Sequence, residues 1–89
     1  MSHNEIISFV TDFVRKNYLV GKSQDLDPAE SLIATGTVDS TGILELITFL
    51  EESFKLQFGD DELTAKNFGT IDGIATFLSG KLRTNGASE

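Results

Sequence analysis

The chain has no cysteine, no tryptophan, one proline, one histidine and one tyrosine among its 89 residues. Without cysteine there is no disulfide framework, no thiolate nucleophile and no zinc–thiolate site. The lone histidine stands at position 3, so histidine-based acid–base chemistry has almost no raw material. Basic residues are scarce too: seven Lys and Arg against fourteen Asp and Glu give a net charge of −7. Neutralising nucleic-acid phosphates takes lysine and arginine, so no nucleic-acid partner is expected. The same sign disfavours anionic membrane surfaces. No apolar run approaches the roughly 18 residues of a membrane span, and the first five residues lack the basic segment and apolar core of a signal peptide. The expectation is a cytoplasmic monomer with no membrane span.

What is present is enough for one small domain. Hydrophobic residues make up 39% and charged residues 24%, a composition that folds rather than one that stays disordered. A chain of this length buries a modest fraction of its surface, which favours a helical bundle with local contacts. Residues 1–83 are expected to form that domain. Residues 84–89 carry no apolar side chain large enough to anchor them and are expected to be a disordered tail.

Hydropathy patterning divides the chain into helices. Ile6, Ile7, Phe9, Val10, Phe13, Val14 and Tyr18 recur at spacings of three and four, predicting a helix over about residues 4–18 with Gly21 as its stop. From residue 21 to residue 38 the period disappears, and the only proline falls there, so a long loop is expected. Leu26, Leu32 and Ile33 should pin it to the bundle, with a helical turn around Pro28, and Gly36 should turn the chain outward. Ile43, Leu46, Ile47, Leu50 and Phe54 predict a second helix over about residues 40–54. Leu56 and Phe58 should turn inward from an extended connector. A short third helix should begin at the carboxylates of Asp60, Asp61 and Glu62 and end near Gly69. Thr70 is a good N-cap for a last helix over about residues 71–82. The fold class read from this is all-α: a four-helix bundle of three main helices and a short third one, with a long first loop. Its core should hold Ile6, Phe9, Val10, Phe13, Leu46, Ile47, Leu50, Phe54, Phe68, Ile74, Phe77 and Leu78.

The charge is localised. Between Asp39 and Glu62 stand seven acids (Asp39, Glu45, Glu51, Glu52, Asp60, Asp61, Glu62) and one base, Lys55, a net −6 of the total −7. Such a field speeds encounters with basic partners. A solvated helix face that only keeps the protein soluble is the plainer account. No calcium loop of the D-x-[DN]-x-[DN]-G form occurs, and Asp25-Leu26-Asp27-Pro28 places proline where such a loop needs a ligand. A hydrolase built on carboxylates needs two of them facing each other across a cleft, whereas these lie mostly along one helix.

Asp39-Ser40 opens that acidic helix. A helix N-terminus carries unpaired N–H groups and the positive end of the macrodipole, a favourable place for a phosphate ester. Ser40 could instead be a plain N-cap, but Ile43 stands where the Glu or Gln of a capping box would be. The stretch from Asp39 through Phe54 resembles the Asp-Ser-Leu attachment site of acyl carrier proteins, with Thr41 in place of the usual apolar residue after the serine. The resemblance covers about residues 6–82.

It implies a non-enzymatic carrier with no catalytic or metal-binding residues. Ser40 would bear 4′-phosphopantetheine delivered from coenzyme A, and Asp39 would be read by the phosphopantetheinyl transferase. Thr41, Leu44, Glu45, Thr48, Glu51 and Glu52 would form the partner-docking face. The implied partners are an acyl- or aminoacyl-loading ligase or synthase and downstream acyltransferases, in fatty-acid, polyketide, nonribosomal-peptide or related pathways. Thr41 and Gly42 depart from the family pattern and point to a specialised discrete carrier. The alternative is a non-catalytic acidic interaction module with Ser40 unmodified.

Overall fold

A computed structural model describes residues 2–19 and 26–87, the last four of these as backbone alone. The elements are α1 (His3–Tyr18), α2 (Ser40–Phe54), a 3-10 turn (Asp60–Glu62), α3 (Ala65–Phe68) and α4 (Ile71–Ala87). The described residues form an all-α four-helix bundle with no sheet; one isolated bridge joins Ser31 to Thr70. Gly21, expected as the stop of α1, lies outside the described residues.

The apolar stripes meet as their spacing demands. Ile6, Val10 and Val14 of α1, Leu46 and Leu50 of α2, and Ile71, Ile74, Ala75 and Leu78 of α4 are all fully buried. α1 packs along α4, and α3 packs against α4. Each fully buried Leu or Ile contributes about 1.5–3 kcal/mol relative to exposure. Leu32, Val38 and Leu56 complete the core from the connectors. At the open ends of α1 and α4, His3 Nε2 lies 2.9 Å from Asp72 Oδ1 and ties the two helices.

Four phenylalanines expected in the core stand at its rim. Phe9, Phe13, Phe54 and Phe77 are half-buried and packed against the core rather than inside it. Flat rings suit that place because they stack on one another: Phe13 lies face to face with Phe49 at 3.9 Å between centroids, and Phe9 stacks on Phe49 at 5.4 Å. A second group joins Phe58 of the connector, Phe68 of α3 and Phe77 of α4: Phe77 meets the other two edge-on, and Phe58 is tilted against Phe68.

The expected short third helix is two pieces. Glu62 Oε1 accepts from the Gly59 N–H at 2.8 Å and closes the 3-10 turn. Leu63 then leaves helical geometry, and the Thr64 hydroxyl caps a fresh start by accepting from the Asn67 N–H. The last helix runs to Ala87, five residues beyond the expected end at Leu82 and into the stretch expected as tail.

The long loop is strapped to the start of α4. Asp72 N–H donates to the Pro28 carbonyl and Leu32 N–H to the Gly69 carbonyl, each at 2.9 Å. The segment after Pro28 is a run of turns rather than a helical one. Leu32 is buried as expected, but Ile33 is 51% exposed and does not pin the loop. Gly36 has φ +76°, the left-handed turn that its position demanded. Val38 N–H then donates to the Leu32 carbonyl, and burial of Val38 fixes the height at which Asp39 and Ser40 emerge.

Candidate attachment site and docking face

Ser40 is the first residue of α2, and Asp39, not Ser40, is its N-cap. Asp39 is extended (φ −94°, ψ −178°), and its Oδ1 accepts from the Gly42 N–H at 2.7 Å. Its carbonyl takes the Ile43 N–H at 2.9 Å. A carboxylate at the cap therefore satisfies the helix start and complements its dipole. Ser40 is left exposed, and its hydroxyl makes no hydrogen bond among the described residues. The N–H groups of Ser40 and Thr41 likewise have no protein acceptor among the described residues. An exposed hydroxyl beside free N–H donors at a fifteen-residue helix's N-terminus accommodates a phosphate ester without displacing any protein contact.

Gly42 has a reason that composition alone hides. A Cβ there would come within 2.6 Å of Val38 Cγ1 and 3.1 Å of Tyr18 Cε1. The first turn of α2 is thus closed in by the Val38 side chain of the connector and by the Tyr18 ring at the end of α1. A side chain at this position would have to displace the first and press on the second. The glycine that reads as a weak helix former is the residue that permits the approach.

The outward face of α2 carries Thr41, Leu44, Glu45, Thr48 and Glu52, all exposed. With half-buried Phe49 they line a shallow open hollow. Leu44 is 61% exposed, the most exposed of the large apolar side chains among the described residues. The Thr48 hydroxyl donates back to the Leu44 carbonyl at 3.1 Å. The three glutamates expected on this face are not equivalent. Glu51 is half-buried, and its Oε2 accepts from the Phe58 N–H at 3.0 Å, which closes the end of α2 onto the connector. Its carboxylate is committed to the fold. Glu45 Oε1 takes the Tyr18 phenol at 2.8 Å. The Glu52 carboxylate has no hydrogen-bond or ion-pair partner among the described residues.

On the other flank of α2, Ile43 and Ile47 with Ile33, Leu63 and Phe68 line an apolar hollow of about 250 Å³. Ile43 lies one turn from Ser40. Ile33, expected to pin the loop to the bundle, is half exposed and lines this hollow instead. The described residues contain no cluster of His, Cys, Asp or Glu able to hold a metal ion. None of their helices is long and apolar enough to cross a membrane.

No family model matches the chain. Among solved structures it is similar to the holo acyl carrier protein of Nitrosomonas europaea, determined by solution NMR: 30% identity, a TM-score of 0.68, and coverage of 93% of this chain and 99% of that one. It is also 27% identical over 71 residues to PigG, a probable acyl carrier protein of a Serratia strain, covering 80% of this chain and 82% of the relative. A chain in the crystal structure of the Bradyrhizobium japonicum glycine:carrier protein ligase, complexed with glycylated carrier protein, shares the fold at 23% identity and a TM-score of 0.63. It covers 83% of this chain and 95% of that one. The chain belongs to the acyl carrier protein family. As a member of that family it is a non-catalytic carrier, and the likeness to a holo acyl carrier protein supports a thioester-carrying role.

Proposed function

We propose that Ser40 carries a 4′-phosphopantetheine arm and that the protein presents acyl or aminoacyl groups, held on that arm as thioesters, to partner enzymes. The observation that carries this reading is the unspent Ser40 hydroxyl: it lies exposed at the start of α2 because Asp39 has taken the capping role. The likeness to a holo carrier of the same family supports the arm itself. A serine hydroxyl is a poor carrier of activated acyl groups, and the arm supplies a thiol whose thioester is reactive. The protein's own residues position and present. Ser40 provides the ester oxygen, the N–H groups of Ser40 and Thr41 face the phosphate, and Asp39 offers a carboxylate to the phosphopantetheinyl transferase that brings the arm from coenzyme A.

Docking uses the outward face of α2. Leu44 and the Thr41 and Thr48 side chains give an apolar centre, with Glu45 and Glu52 at its border for basic side chains of the transferase, the loading ligase or synthase, and downstream acyltransferases. The apolar hollow beside Ile43 and Ile47 gives an apolar cargo group a surface on which to leave water.

The test is the intact mass of wild type and Ser40→Ala after incubation with coenzyme A and a broad-range transferase. The phosphopantetheine increment is expected on wild type and absent from Ser40→Ala. An increment on Ser40→Ala, or none on wild type with a transferase shown to be active on another carrier, overturns the reading in favour of an acidic interaction module with Ser40 unmodified.

A further inference from the structure

Tyr18 ends α1, and its side chain reaches across to the first turns of α2. Its hydroxyl lies 2.8 Å from Glu45 Oε1 and 3.2 Å from the Gly42 carbonyl oxygen. A phenol has one proton to donate. The carboxylate, shorter in contact and charged, takes it, and the carbonyl stands within reach as a second acceptor. Glu45 meanwhile borders the shallow hollow on the outward face of α2, with Leu44, Thr48 and Glu52.

We propose that Tyr18 is a positioning residue for docking: it holds Glu45 in the free carrier and yields it to a basic side chain of the partner, its own proton turning to the Gly42 carbonyl. This rests on the reading of the α2 face as the docking surface. Releasing a hydrogen-bonded carboxylate normally orphans the donor, and an unpaired half-buried hydroxyl is costly. Here the second acceptor keeps the hydroxyl paired, so release costs only the difference between a charged acceptor and a neutral one. It is also fixed in place, because the Gly42 N–H is bound to Asp39 and its Cα is closed in by Val38 and the Tyr18 ring. The ring is held edge-on against Phe13, with centroids 6.2 Å apart, so only the O–H torsion has to change. The charged groups facing the phenol are Glu45 and, further off, Asp39. Burial and the Glu45 carboxylate push the phenol up to about 12, so it stays a donor throughout the neutral range. Glu51 has no such exchange partner: its donor is a backbone N–H held by the fold. Of the three glutamates, Glu45 is the one whose availability is gated.

Steady-state transfer of the arm by a broad-range transferase tests this with wild type, Tyr18→Phe, Glu45→Gln and the double variant. Tyr18→Phe should lower KM for the carrier by about two- to tenfold with kcat unchanged. Glu45→Gln should raise KM, and adding Tyr18→Phe to it should change nothing further. An unchanged or raised KM for a Tyr18→Phe protein with the wild-type circular dichroism spectrum overturns the gating. If Glu45→Gln still raises KM in that case, only the gating has failed; if neither Glu45→Gln nor added salt alters KM, the docking reading has failed with it. Tyr18 is the sole tyrosine, and there is no tryptophan, so intrinsic emission reports this hydroxyl alone. An arginine homopeptide should change the emission of wild type and leave that of Glu45→Gln unaltered. Calorimetrically detected binding of the peptide to wild type without an emission change also overturns the gating.

Discussion

At the start of α1 the Ser2 hydroxyl accepts from the Glu5 N–H at 3.2 Å, and Glu5 Oε1 accepts in return from the Ser2 N–H at 2.8 Å. At the start of α2 a serine is again present, but the carboxylate one residue earlier has taken the cap, and the Ser40 hydroxyl bonds to nothing among the described residues. One helix spends its serine on stability through a capping box. The other keeps its serine free, and a single-residue shift of the cap is the whole difference. A serine at a helix start is thus a structural residue or an available nucleophile according to what stands beside it. Asp at the cap serves both needs, since it ranks with serine as an N-cap and adds a charge that suits the dipole.

The largest effect expected from disturbing this contrast is at Gly42, where the second helix start is packed most tightly. Gly42→Ala should lower stability by about 1–3 kcal/mol through overpacking against Val38 and Tyr18. That cost exceeds the gain of up to about 1 kcal/mol in helix propensity. A lower urea midpoint at constant m-value is the expected readout; a raised midpoint would mean that the two helices approach less closely than described.

Next come the caps themselves. Asp39→Ala and Ser2→Ala should each cost about 0.5–2 kcal/mol in thermal or urea unfolding. Only the first should slow transfer of the arm. Asp39→Asn sharpens the distinction, because the amide oxygen still accepts from the Gly42 N–H while the charge is gone. Stability should change by less than about 0.5 kcal/mol, and transfer should fall if the transferase reads the carboxylate. Equal transfer rates for wild type and Asp39→Asn would confine Asp39 to capping.

The smallest effects lie in pH, and the two helix starts should differ in sign. The Ser2 N–H and hydroxyl hold the Glu5 carboxyl below its ordinary 4.5. Its contribution is present above the unfolded value and is lost as pH falls through the folded one. The Tyr18 phenol at the α2 start is pushed up to about 12 from 10, so its contribution is complete below pH 10 and disappears as pH rises through about 12. Melting temperature against pH should therefore lose part of its acid slope in Glu5→Gln and part of its alkaline slope in Tyr18→Phe. Parallel curves for all three proteins would sever both links.

Much of the bundle is legible in the sequence because it rests on period. The bounds read for the second helix coincide with α2 (Ser40–Phe54), and the stripes of Ile6, Val10 and Val14 and of Ile71, Ile74 and Leu78 bury as spaced. What escapes the pattern is set by contacts between distant residues. Ile33 looks like an anchor but lines a surface hollow, while its neighbour Leu32, strapped to the Gly69 carbonyl, is the buried one. Glu51 looks like a surface charge, yet it closes the α2 end on Phe58, seven residues on. Asp39 as the cap was available to sequence reasoning from capping preferences. The pairing of Tyr18 with Glu45 was not, because the two are 27 residues apart and the stripe that places Tyr18 inward says nothing of its hydroxyl.

The packing of α1 along α4 has a consequence in time. During synthesis α1 emerges first, yet the surface that buries Ile6, Val10 and Val14 belongs largely to a helix that begins at Ile71. Small domains of this kind fold as units, and the strap that steadies the approach to Ser40 also ends on residues 69–72. In a chain still growing on the ribosome, Ser40 thus follows a segment whose strap to residues 69–72 cannot yet have formed. On the proposed reading of Ser40, the seat for the arm is complete only once the last helix has been made, which places modification after closure of the first helix on the last.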